Sequence, residues 1–406
     1  MSTANVSIIG AGLSGLALAL ALHQQSIVCT LYEARPALLD IGGALMLSPN
    51  ALRILDSIGV YAHVKGQGYS FDKLYFRSHD DKPVDSYEFG EEAKYGYPAL
   101  RIYRRILIKE LSALVEEAGI PIVYNKKFTR VLEETPYDVT FEFEDEATAT
   151  ATVLVGADGI HSNVRKYLYP DLEPIFTKAI GVNAAIPTSQ LKLPEGYDLP
   201  VTIMNRDHGA FIIAPQQPDG SEVFIGRQKR APELDREGWA ALLNNKNWCI
   251  EYLRENIGAF PTVAQNAVSN LQTSKINLWP FYIVPKLERW SSQHSRVIIL
   301  GDAAHAIPPS AGQGINQAFE DVFTFALVFK RTDGDQERLA RGLKVWQGGR
   351  QDRVDRVLAL NAEIDRRRLP KLAGEGDSED KLFELEWLYR PDFDEMVEGW
   401  LSEAGL

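Results

Sequence analysis

The sequence has few cysteines and no excess of basic residues, and each shortage excludes a class of protein. Only two cysteines, Cys29 and Cys249, occur among the 406 residues. A disulfide framework, a metal site and a paired-cysteine redox centre are therefore not expected, and a reducing cytoplasmic setting is predicted. The 55 acidic residues outnumber the 43 basic ones, which gives a net charge of −12. Nucleic acid is not expected as a partner, because its phosphates require basic clusters.

The chain also lacks a long apolar run. Residues 13–22 are apolar, but a membrane-spanning helix needs about 20 such residues. No lysine or arginine lies between Met1 and Gly12, whereas an export signal begins with basic residues. We therefore expect neither a transmembrane segment nor a signal peptide. A hydrophobic content of 45% still supplies a large core, and the length predicts two or three domains.

Strand and helix patterns predict an α/β fold. Short β-rich runs at 6–9 and 27–32 flank a helix that is predicted to start near Leu13, which is the pattern of a parallel βαβ unit. A helix is predicted over 101–118, with Gly119 at its C-terminal cap. The other predicted elements are strands at 139–143, 152–155, 201–206, 209–214, 222–228 and 297–300, and helices at 238–256, 316–329 and 336–366.

The order of these elements predicts a domain that is discontinuous in sequence. We expect a Rossmann-like nucleotide-binding domain, a mostly antiparallel, β-rich substrate domain and a C-terminal helical region. The predicted segments are 1–75, 99–170 and 286–330 for the first, 76–98 and 171–285 for the second, and 331–406 for the third.

The clearest motif is a glycine-rich turn between the first strand and the first helix, Gly10-Ala11-Gly12-Leu13-Ser14-Gly15. Gly10 permits the tight turn, Gly12 lets the backbone approach a pyrophosphate, and Gly15 lets the helix pack closely on the strand. Glu33 ends the second strand, 21 residues after Gly12, where a carboxylate binds ribose hydroxyls. Together these features predict a dinucleotide site.

Two further segments narrow the choice of dinucleotide. One is Gly156-Ala157-Asp158-Gly159-Ile160-His161-Ser162-Asn163-Val164-Arg165. The other runs from Gly301-Asp302-Ala303-Ala304-His305 through Pro308-Pro309-Ser310-Ala311-Gly312-Gln313-Gly314-Ile315-Asn316 to Glu320-Asp321. The second segment delivers a carboxylate and a glycine-rich turn ahead of a helix N-terminus, which suits a polyol and an electron-accepting ring.

These three motifs, in this order, resemble the class A FAD-dependent monooxygenases, the family of aromatic hydroxylases such as p-hydroxybenzoate and salicylate hydroxylase. The likeness covers most of residues 4–366, and the wording of the second long motif is similar to the tetracycline-inactivating branch. The resemblance implies FAD as cofactor, with NADPH or NADH as a transient co-substrate. It also implies hydroxylation by O2, through a flavin C4a-hydroperoxide, of an aromatic or polycyclic molecule such as a secondary metabolite or antibiotic.

The resemblance also implies cofactor-binding residues. Those expected at the pyrophosphate and ribose are Gly10, Gly12, Leu13, Ser14, Gly15 and Glu33, with Arg35 beside the adenine or merely on the surface. Those expected at the ribityl chain and ring are Gly43, Ala44, Arg104, Asp302, Gly312, Gly314, Ile315 and Asn316, with Arg105 as the alternative to Arg104. Asp158 is expected at a segment shared by FAD and NADPH. Arg165 either serves NADPH or caps that segment, and His305 is interpreted as a structural histidine.

The substrate side departs from the family pattern. Val182-Asn183-Ala184 stands where some fungal hydroxylases carry an arginine clamp, which counts against simple benzoate or salicylate substrates. The residues predicted to contact substrate are Asn183, Met204, Phe211 and Arg227, together with His208. Arg227 could equally be an exposed strand residue. Met204 and Phe211 could equally belong to the apolar core, where alternating apolar strand residues usually lie. No catalytic acid or base is identified.

Two other functions remain open from the sequence. The same scaffold could act as a flavin-dependent reductase or dehydrogenase, which would release hydrogen peroxide without an oxygenated product. A non-catalytic redox-sensing module would bind FAD tightly without oxidising NADPH. The acidic end of the chain carries Trp387, Tyr389, Phe393 and Trp400, which either cover the core or form a dimer contact, so monomer and homodimer both remain open.

Overall fold

The protein was analysed as a computed structural model, which describes residues 5–38, 42–332, 335–368 and 384–406. Within these ranges the chain forms eighteen strands and fourteen α-helices. The strands are β1 Asn5–Ile9, β2 Val28–Tyr32, β3 Ala44–Leu47, β4 Tyr69–Phe71, β5 Lys73–Ser78, β6 Pro83–Glu88, β7 Ala99–Tyr103, β8 Ile122–Val123, β9 Phe128–Glu134, β10 Val139–Phe143, β11 Thr148–Ala151, β12 Val153–Gly156, β13 Ile175–Pro187, β14 Val201–Asn205, β15 Gly209–Pro215, β16 Glu222–Arg230, β17 Ile276–Ile283 and β18 Val297–Ile299.

The helices follow the same numbering along the chain. They are α1 Leu13–Gln24, α2 Pro49–Ser57, α3 Tyr61–Val64, α4 Glu92–Tyr95, α5 Arg104–Glu117, α6 Arg165–Leu168, α7 Arg236–Asn244, α8 Lys246–Arg254, α9 Thr262–Ala267, α10 Asp302–His305, α11 Gly314–Arg331, α12 Gln336–Arg368, α13 Glu386–Tyr389 and α14 Phe393–Glu403. No helix of the described part is both long enough and apolar enough to cross a bilayer.

The predicted nucleotide-binding fold is present as a parallel sheet of five strands, in the order β18-β12-β1-β2-β8. Helix α1 packs between this sheet and helices α5 and α11. Its residues from Leu13 to Leu22 are nearly all buried, because a helix covered on several sides needs apolar residues all round. A parallel sheet with helices packed on it confirms the predicted α/β class. Its strands come from distant parts of the chain.

A second sheet of seven strands, in the order β17-β13-β16-β15-β14-β5-β6, forms the predicted β-rich layer. Its pairs are antiparallel except for β14 with β5. One face packs against α8 and α9 in a separate apolar cluster that contains Val223, Ile225 and Leu253. The side chains of alternate residues therefore point to the opposite face, which lies toward the parallel sheet.

Three smaller parts complete the fold. A three-stranded sheet, β3-β7-β4, connects the two large sheets, and β9 to β11 form a meander. Helices α12 to α14 cover the core, where Tyr389 and Phe393 are buried and Trp400 packs against Gly349. The described tail aromatics thus cover the core of their own chain. Residues 369–383 of the acidic tail lie outside the described residues.

Two predicted helices differ from the structure. The helix expected over 101–118 begins only at Arg104, because residues 99–103 form β7 in the small sheet. The helix expected over 238–256 is divided into α7 and α8 at Asn245, whose side chain accepts a hydrogen bond from the backbone N–H of Trp248 and so starts a new helix. Both corrections depend on pairing and capping that helical periodicity does not reveal.

Candidate active site

A cavity of about 820 Å³ lies where the parallel sheet faces the seven-stranded sheet. Its wall includes Gly12 and Ser14 at the start of α1, Asp302 and Gly314 ahead of α11, and Phe224 and Trp279 on the seven-stranded sheet. The cavity is therefore built from the predicted nucleotide-binding and β-rich parts together.

The glycines of the first turn have two different reasons to lack a side chain. Gly10 has a φ of +103°, and a Cβ there would lie 2.7 Å from the carbonyl oxygen of Ala157. A Cβ at Gly15 would lie 1.9 Å from the carbonyl oxygen of Gly10. A Cβ at Gly12 would meet no described protein atom within 4 Å, although Gly12 lines the cavity. Gly10 and Gly15 thus satisfy packing, whereas Gly12 leaves room for a ligand.

Glu33 holds this turn against the end of β2. Its Oε2 accepts a hydrogen bond from the backbone N–H of Ala11 at 3.0 Å, and its Oε1 accepts one from the N–H of Arg35 at 2.9 Å. The Arg35 side chain is exposed and lies 3.8 Å from the Glu33 carboxylate. Neither residue lines the cavity itself. Their predicted contacts with ribose and adenine remain predictions, and the structure adds that Glu33 positions the turn.

Arg104 and Asp302 both line the cavity. The Arg104 side chain lies against Gly42, where a Cβ would come within 3.1 Å of its Cδ. Burial lowers the pKa of Arg104, which the nearby Asp302 carboxylate opposes. The Asp302 carboxylate opens onto the cavity yet lies deep in the protein, and this burial raises its pKa against the influence of His305 and Arg104. A cation and an anion that do not form a direct ion pair therefore both line the cavity and are available to a polar ligand.

Arg105, the alternative to Arg104, is exposed on the outer side of α5. Its guanidinium carbon lies 5.4 Å from the ring centroid of Tyr103, and it does not line the cavity. The structure therefore distinguishes the two arginines and brings Arg104 to the site.

Two glycine-rich corners of the cavity can be distinguished: the first is the turn from Gly10 to Gly15, and the second is the loop that leads into the start of α11. Gly312, Gly314 and Ile315 line the cavity, together with Gly43 and Ala44 from the opposite side. A Cβ at Gly43 or Gly314 would meet no described protein atom within 4 Å. As at Gly12, no neighbouring protein atom requires a glycine at Gly43 or Gly314, so the space beside each is open to a ligand.

Asn316 positions this corner and does not line the cavity. Its Oδ1 accepts the backbone N–H of Ser48 at 3.0 Å, and its Nδ2 donates to the carbonyl oxygens of Met46 and Gly312 at 3.1 and 2.6 Å. The whole side-chain amide is therefore used between the two loops, and the predicted cofactor contact of Asn316 stays a prediction.

Buried charges behind the second corner hold it in place. Arg350 donates to Glu320 and, at 2.8 Å, to Oδ1 of Asp321, and Arg353 also pairs with Glu320. His305 Nε2 lies 2.5 Å from Oδ2 of Asp321. Burial alone would raise the pKa of Asp321, but His305 and Arg350 lower it below its ordinary value. The structural interpretation of His305 is in agreement with these contacts.

The middle motif is folded on itself. The Asp158 carboxylate accepts the backbone N–H groups of Asn163 and Val164 at 2.8 and 3.2 Å. Arg165 is buried and donates to the carbonyl oxygens of Ile160 and Ala303. Asp158 therefore caps the following turn, and its predicted place in a segment shared by FAD and NADPH stays a prediction. Of the two interpretations of Arg165, the structure favours the cap.

The predicted substrate residues divide between the two faces of the seven-stranded sheet. Asn183 lines the cavity, whereas Phe211 is buried in the cluster beneath α8. Arg227 is neither exposed nor directed into the cavity: its guanidinium donates to the carbonyl oxygens of Tyr252, Glu255 and His208. Met204 packs against a third apolar cluster and does not line the cavity. The sequence predicts that side chains alternate along these strands, but it does not show which face of the seven-stranded sheet lines the cavity.

Several wall residues were missed from the sequence. They are Arg101, Tyr103, Gln216, Phe224, Trp279 and Phe281. The first two were assigned to a helix, although Arg101 and Tyr103 at alternate positions ahead of the helix were a strand signal. Gln216 follows β15 directly, and the other three lie on β16 and β17, whose cavity face becomes known only from their pairing with β13.

Comparisons with known proteins agree with this geometry. The FAD binding domain family matches residues 3–330. The chain is 28% identical over 339 residues to 3-amino-4-hydroxybenzoate 2-monooxygenase from Streptomyces cremeus, covering 83% of this chain and 81% of that protein. It is also 28% identical over 363 residues to 6-hydroxynicotinate 3-monooxygenase from Bordetella bronchiseptica, with coverage of 87% and 89%.

Solved structures share the fold over the whole chain. CtdE in complex with FAD and its substrate 4 has a TM-score of 0.81 at 20% identity, covering 99% of this chain and 98% of that one. HpxO from Klebsiella pneumoniae, in complex with FAD and uric acid, has a TM-score of 0.76 at 20% identity, with coverage of 99% and 93%. The resemblance to flavin monooxygenases is therefore confirmed. The chain belongs to the FAD binding domain family, and FAD is its cofactor.

Proposed function

We propose that this protein is an FAD-dependent monooxygenase that uses NADPH or NADH and O2 to hydroxylate an aromatic or polycyclic small molecule. The observation that carries the proposal is the continuity of the cavity. The two glycine-rich corners open into the same space as Phe224 and Trp279 on the seven-stranded sheet. A cofactor held by the corners would therefore face a substrate held by the sheet.

The residues present fit FAD. Gly12, Gly43 and Gly314 lack neighbours within 4 Å at the position of a Cβ in the described structure, so a ligand can approach their backbone. Gly12, Leu13 and Ser14 would hold the pyrophosphate at the N-terminus of α1, where free N–H groups and the helix dipole favour an anion. Arg104 and Asp302 would contact the ribityl chain, and Gly312 to Ile315 the ring.

Bound FAD supplies the redox chemistry by accepting hydride from NAD(P)H and activating O2. The chain's own contribution is to place and shield the reaction. The N-terminus of α11 begins at Gly314 on the cavity wall and presents its partial positive charge there. Phe89, Phe224 and Phe281 line the same space and limit the entry of water.

The test is the fate of oxygen. The purified protein is incubated with NADPH or NADH under 18O2 and a panel of phenols, anthraquinones, indole alkaloids, tetracyclines and hydroxylated aromatic acids. One 18O atom in the product, with NAD(P)H consumption matched to product, is the expected result. Hydrogen peroxide without oxygenated product from the whole panel would point to the reductase, and tight FAD without any NAD(P)H oxidation to the redox-sensing module.

The predicted division into domains is kept as part of this proposal. The apolar cluster of the parallel sheet is separate from that beneath the seven-stranded sheet, which supports the division. The strand β5 begins at Lys73, three residues before the predicted boundary at 76.

The two cysteines are free and buried, which suits the proposed cytoplasmic setting. Light scattering of the purified protein decides between monomer and homodimer.

A further inference from the structure

Arg101 is a buried arginine whose positive charge is not matched by a protein carboxylate. It lies on β7, lines the cavity, and is 6% exposed. Among the described residues it forms no ion pair, and its Nε has no hydrogen-bond partner. Its guanidinium carbon lies 5.0 Å from the ring centroid of Phe224. An aromatic face therefore supports the guanidinium without satisfying its N–H groups.

Other buried arginines of the described chain contrast with Arg101. Arg227 donates to three carbonyl oxygens, Arg165 to two, and Arg350 to two carboxylates and Gln317. Burial lowers the pKa of Arg101 to about 10, so it still carries its charge at neutral pH. A buried cation without an acceptor is costly, and an arrangement of this kind is explained by a ligand that completes it.

Glu222, the carboxylate hydrogen-bonded to the wall residue Tyr103, is already engaged. Tyr103 donates its phenolic hydrogen to Glu222, and Gln216 Nε2 donates to the Tyr103 oxygen at 3.1 Å. Lys275 Nζ lies 3.7 Å from the other oxygen of Glu222. Glu222 is thus balanced by Tyr103 and Lys275, which leaves the guanidinium of Arg101 for an anion from outside the protein.

The position of Arg101 also separates it from the proposed FAD contacts. Arg104, three residues later, lies against Gly42 near Asp302 at the glycine-rich corner. Arg101 instead lies against Phe224, a residue of the seven-stranded sheet. Trp279, which is 54% exposed and also lines the cavity, supplies a second flat wall on this sheet.

We infer that Arg101 is a specificity-determining residue that binds an anionic oxygen of a planar substrate lying against Phe224. The substrate class is an aromatic or polycyclic molecule that carries a carboxylate, phenolate or enolate. This replaces the clamp that is missing at Val182-Asn183-Ala184. The inference rests on the proposed function only in taking the anion to be the substrate.

The experiment measures binding to the FAD-loaded protein by calorimetry, without NAD(P)H. The probes are matched pairs: 6-hydroxynicotinate and 6-hydroxynicotinamide, 3-amino-4-hydroxybenzoate and its amide, and pentafluorophenolate and pentafluoroanisole. Because a hydrogen bond to a charged group contributes about 1.5–3 kcal/mol, the anion of at least one pair should bind about tenfold or more tightly than its neutral analogue. The pair that responds distinguishes a carboxylate from a phenolate.

Arg101→Met should abolish this preference while the FAD content stays unchanged, and Arg101→Lys should retain part of it. Arg105→Met, an exposed arginine of the same segment, is the control and should keep the full preference. Three results overturn the inference: no pair shows a preference in the wild type, the preference survives in Arg101→Met, or Arg101→Met releases FAD. Since the readout needs no turnover, an absence of oxygenated product would defeat the proposed function and leave this result standing.

Discussion

The carboxylate of Asp321 accepts a hydrogen bond from the backbone N–H of Gly301 at 2.8 Å. Gly301 has a φ of +58°, and Asp302 follows it directly into the cavity. A buried carboxylate on α11 therefore fixes the turn that presents the cofactor-facing carboxylate. Arg350 and His305 hold Asp321 in its charged form, so the stability of the core and the geometry of the site depend on the same group.

Replacing Arg350 should test this dependence. Arg350→Met removes one partner of each buried carboxylate and leaves His305 beside Asp321 and Arg353 beside Glu320. Breaking a buried pair costs about 3–5 kcal/mol of unfolding free energy. Urea unfolding measures the change. The control is Lys286→Ala, which breaks an exposed pair with Asp355 and should cost less than about 1 kcal/mol. An Arg350→Met protein as stable as the control would contradict the proposed role of the buried charges.

The first glycine-rich turn allows a paired prediction. Gly12→Val should fold but lose FAD, because its backbone is extended and a Cβ there meets only the cavity. Gly15→Val should fail to fold stably, because its Cβ would lie 1.9 Å from the carbonyl oxygen of Gly10. Far-UV circular dichroism and flavin absorbance after reconstitution separate the two outcomes. A folded Gly12→Val protein with its full FAD content would mean that the pyrophosphate lies elsewhere.

The sequence predicts those parts of the site whose residues lie within one turn or one βαβ unit of the chain. Gly10, Gly12 and Gly15 lie within six residues, and their roles follow from one turn between a strand and a helix. Glu33 could be found because a βαβ unit brings the end of its second strand to that turn. The structure adds the hydrogen bonds that Glu33 accepts from Ala11 and Arg35, while its contact with ribose stays a prediction.

The part that could not be predicted depends on pairing between distant strands. Phe211 was predicted either at the substrate or in the core, and Arg227 either as a substrate clamp or as an exposed strand residue, because a period of two leaves open which face meets the cavity. Arg101 was missed because the short strand signal of residues 99–103 runs directly into the predicted helix, and the pairing of β7 with β3 and β4 is what separates the two elements. Asp158 and Asn316 were predicted at the cofactor from their motifs, and the folded structure is needed to show that their side chains form hydrogen bonds with backbone groups.

Asp302 should bind FAD at a cost to the stability of the apoprotein. Burial raises its pKa in the folded state, so the ionised form is disfavoured there and folding stability falls as the pH rises from about 4, the ordinary pKa of aspartate. Asp302→Asn removes this penalty. Urea unfolding of the apoproteins should therefore find the variant more stable at pH 7, with a difference that shrinks as the pH is lowered toward 4.

The same position should lose FAD affinity when it is changed. Asp302→Ala removes the carboxylate from the cavity and should lose most of the bound flavin, about tenfold or more in affinity, since hydrogen bonds to charged groups contribute about 1.5–3 kcal/mol. The measurement is the flavin absorbance retained after dialysis. Full retention by a folded Asp302→Ala protein would remove this residue from the site.

The two neighbouring arginines at the start of α5 give a matched test of orientation. Arg104→Met should weaken FAD binding about tenfold or more, because a charged group facing the cavity is lost. Arg105→Met should leave FAD binding unchanged, because Arg105 is exposed and contacts Tyr103. Fluorescence titration of the apoprotein with FAD gives both affinities. Equal losses in the two variants would contradict the assignment of Arg104.

We expect two glycine-rich corners, far apart in sequence, to hold one FAD beside the cavity face of the seven-stranded sheet. The most direct measurement is the electron density of the protein crystallised with FAD. We expect one molecule with its pyrophosphate at Gly12 and its ring between Gly43 and Gly314, on the side open to Phe224. Density that places the ring away from Gly314, or separate ligands at the two corners, would contradict it.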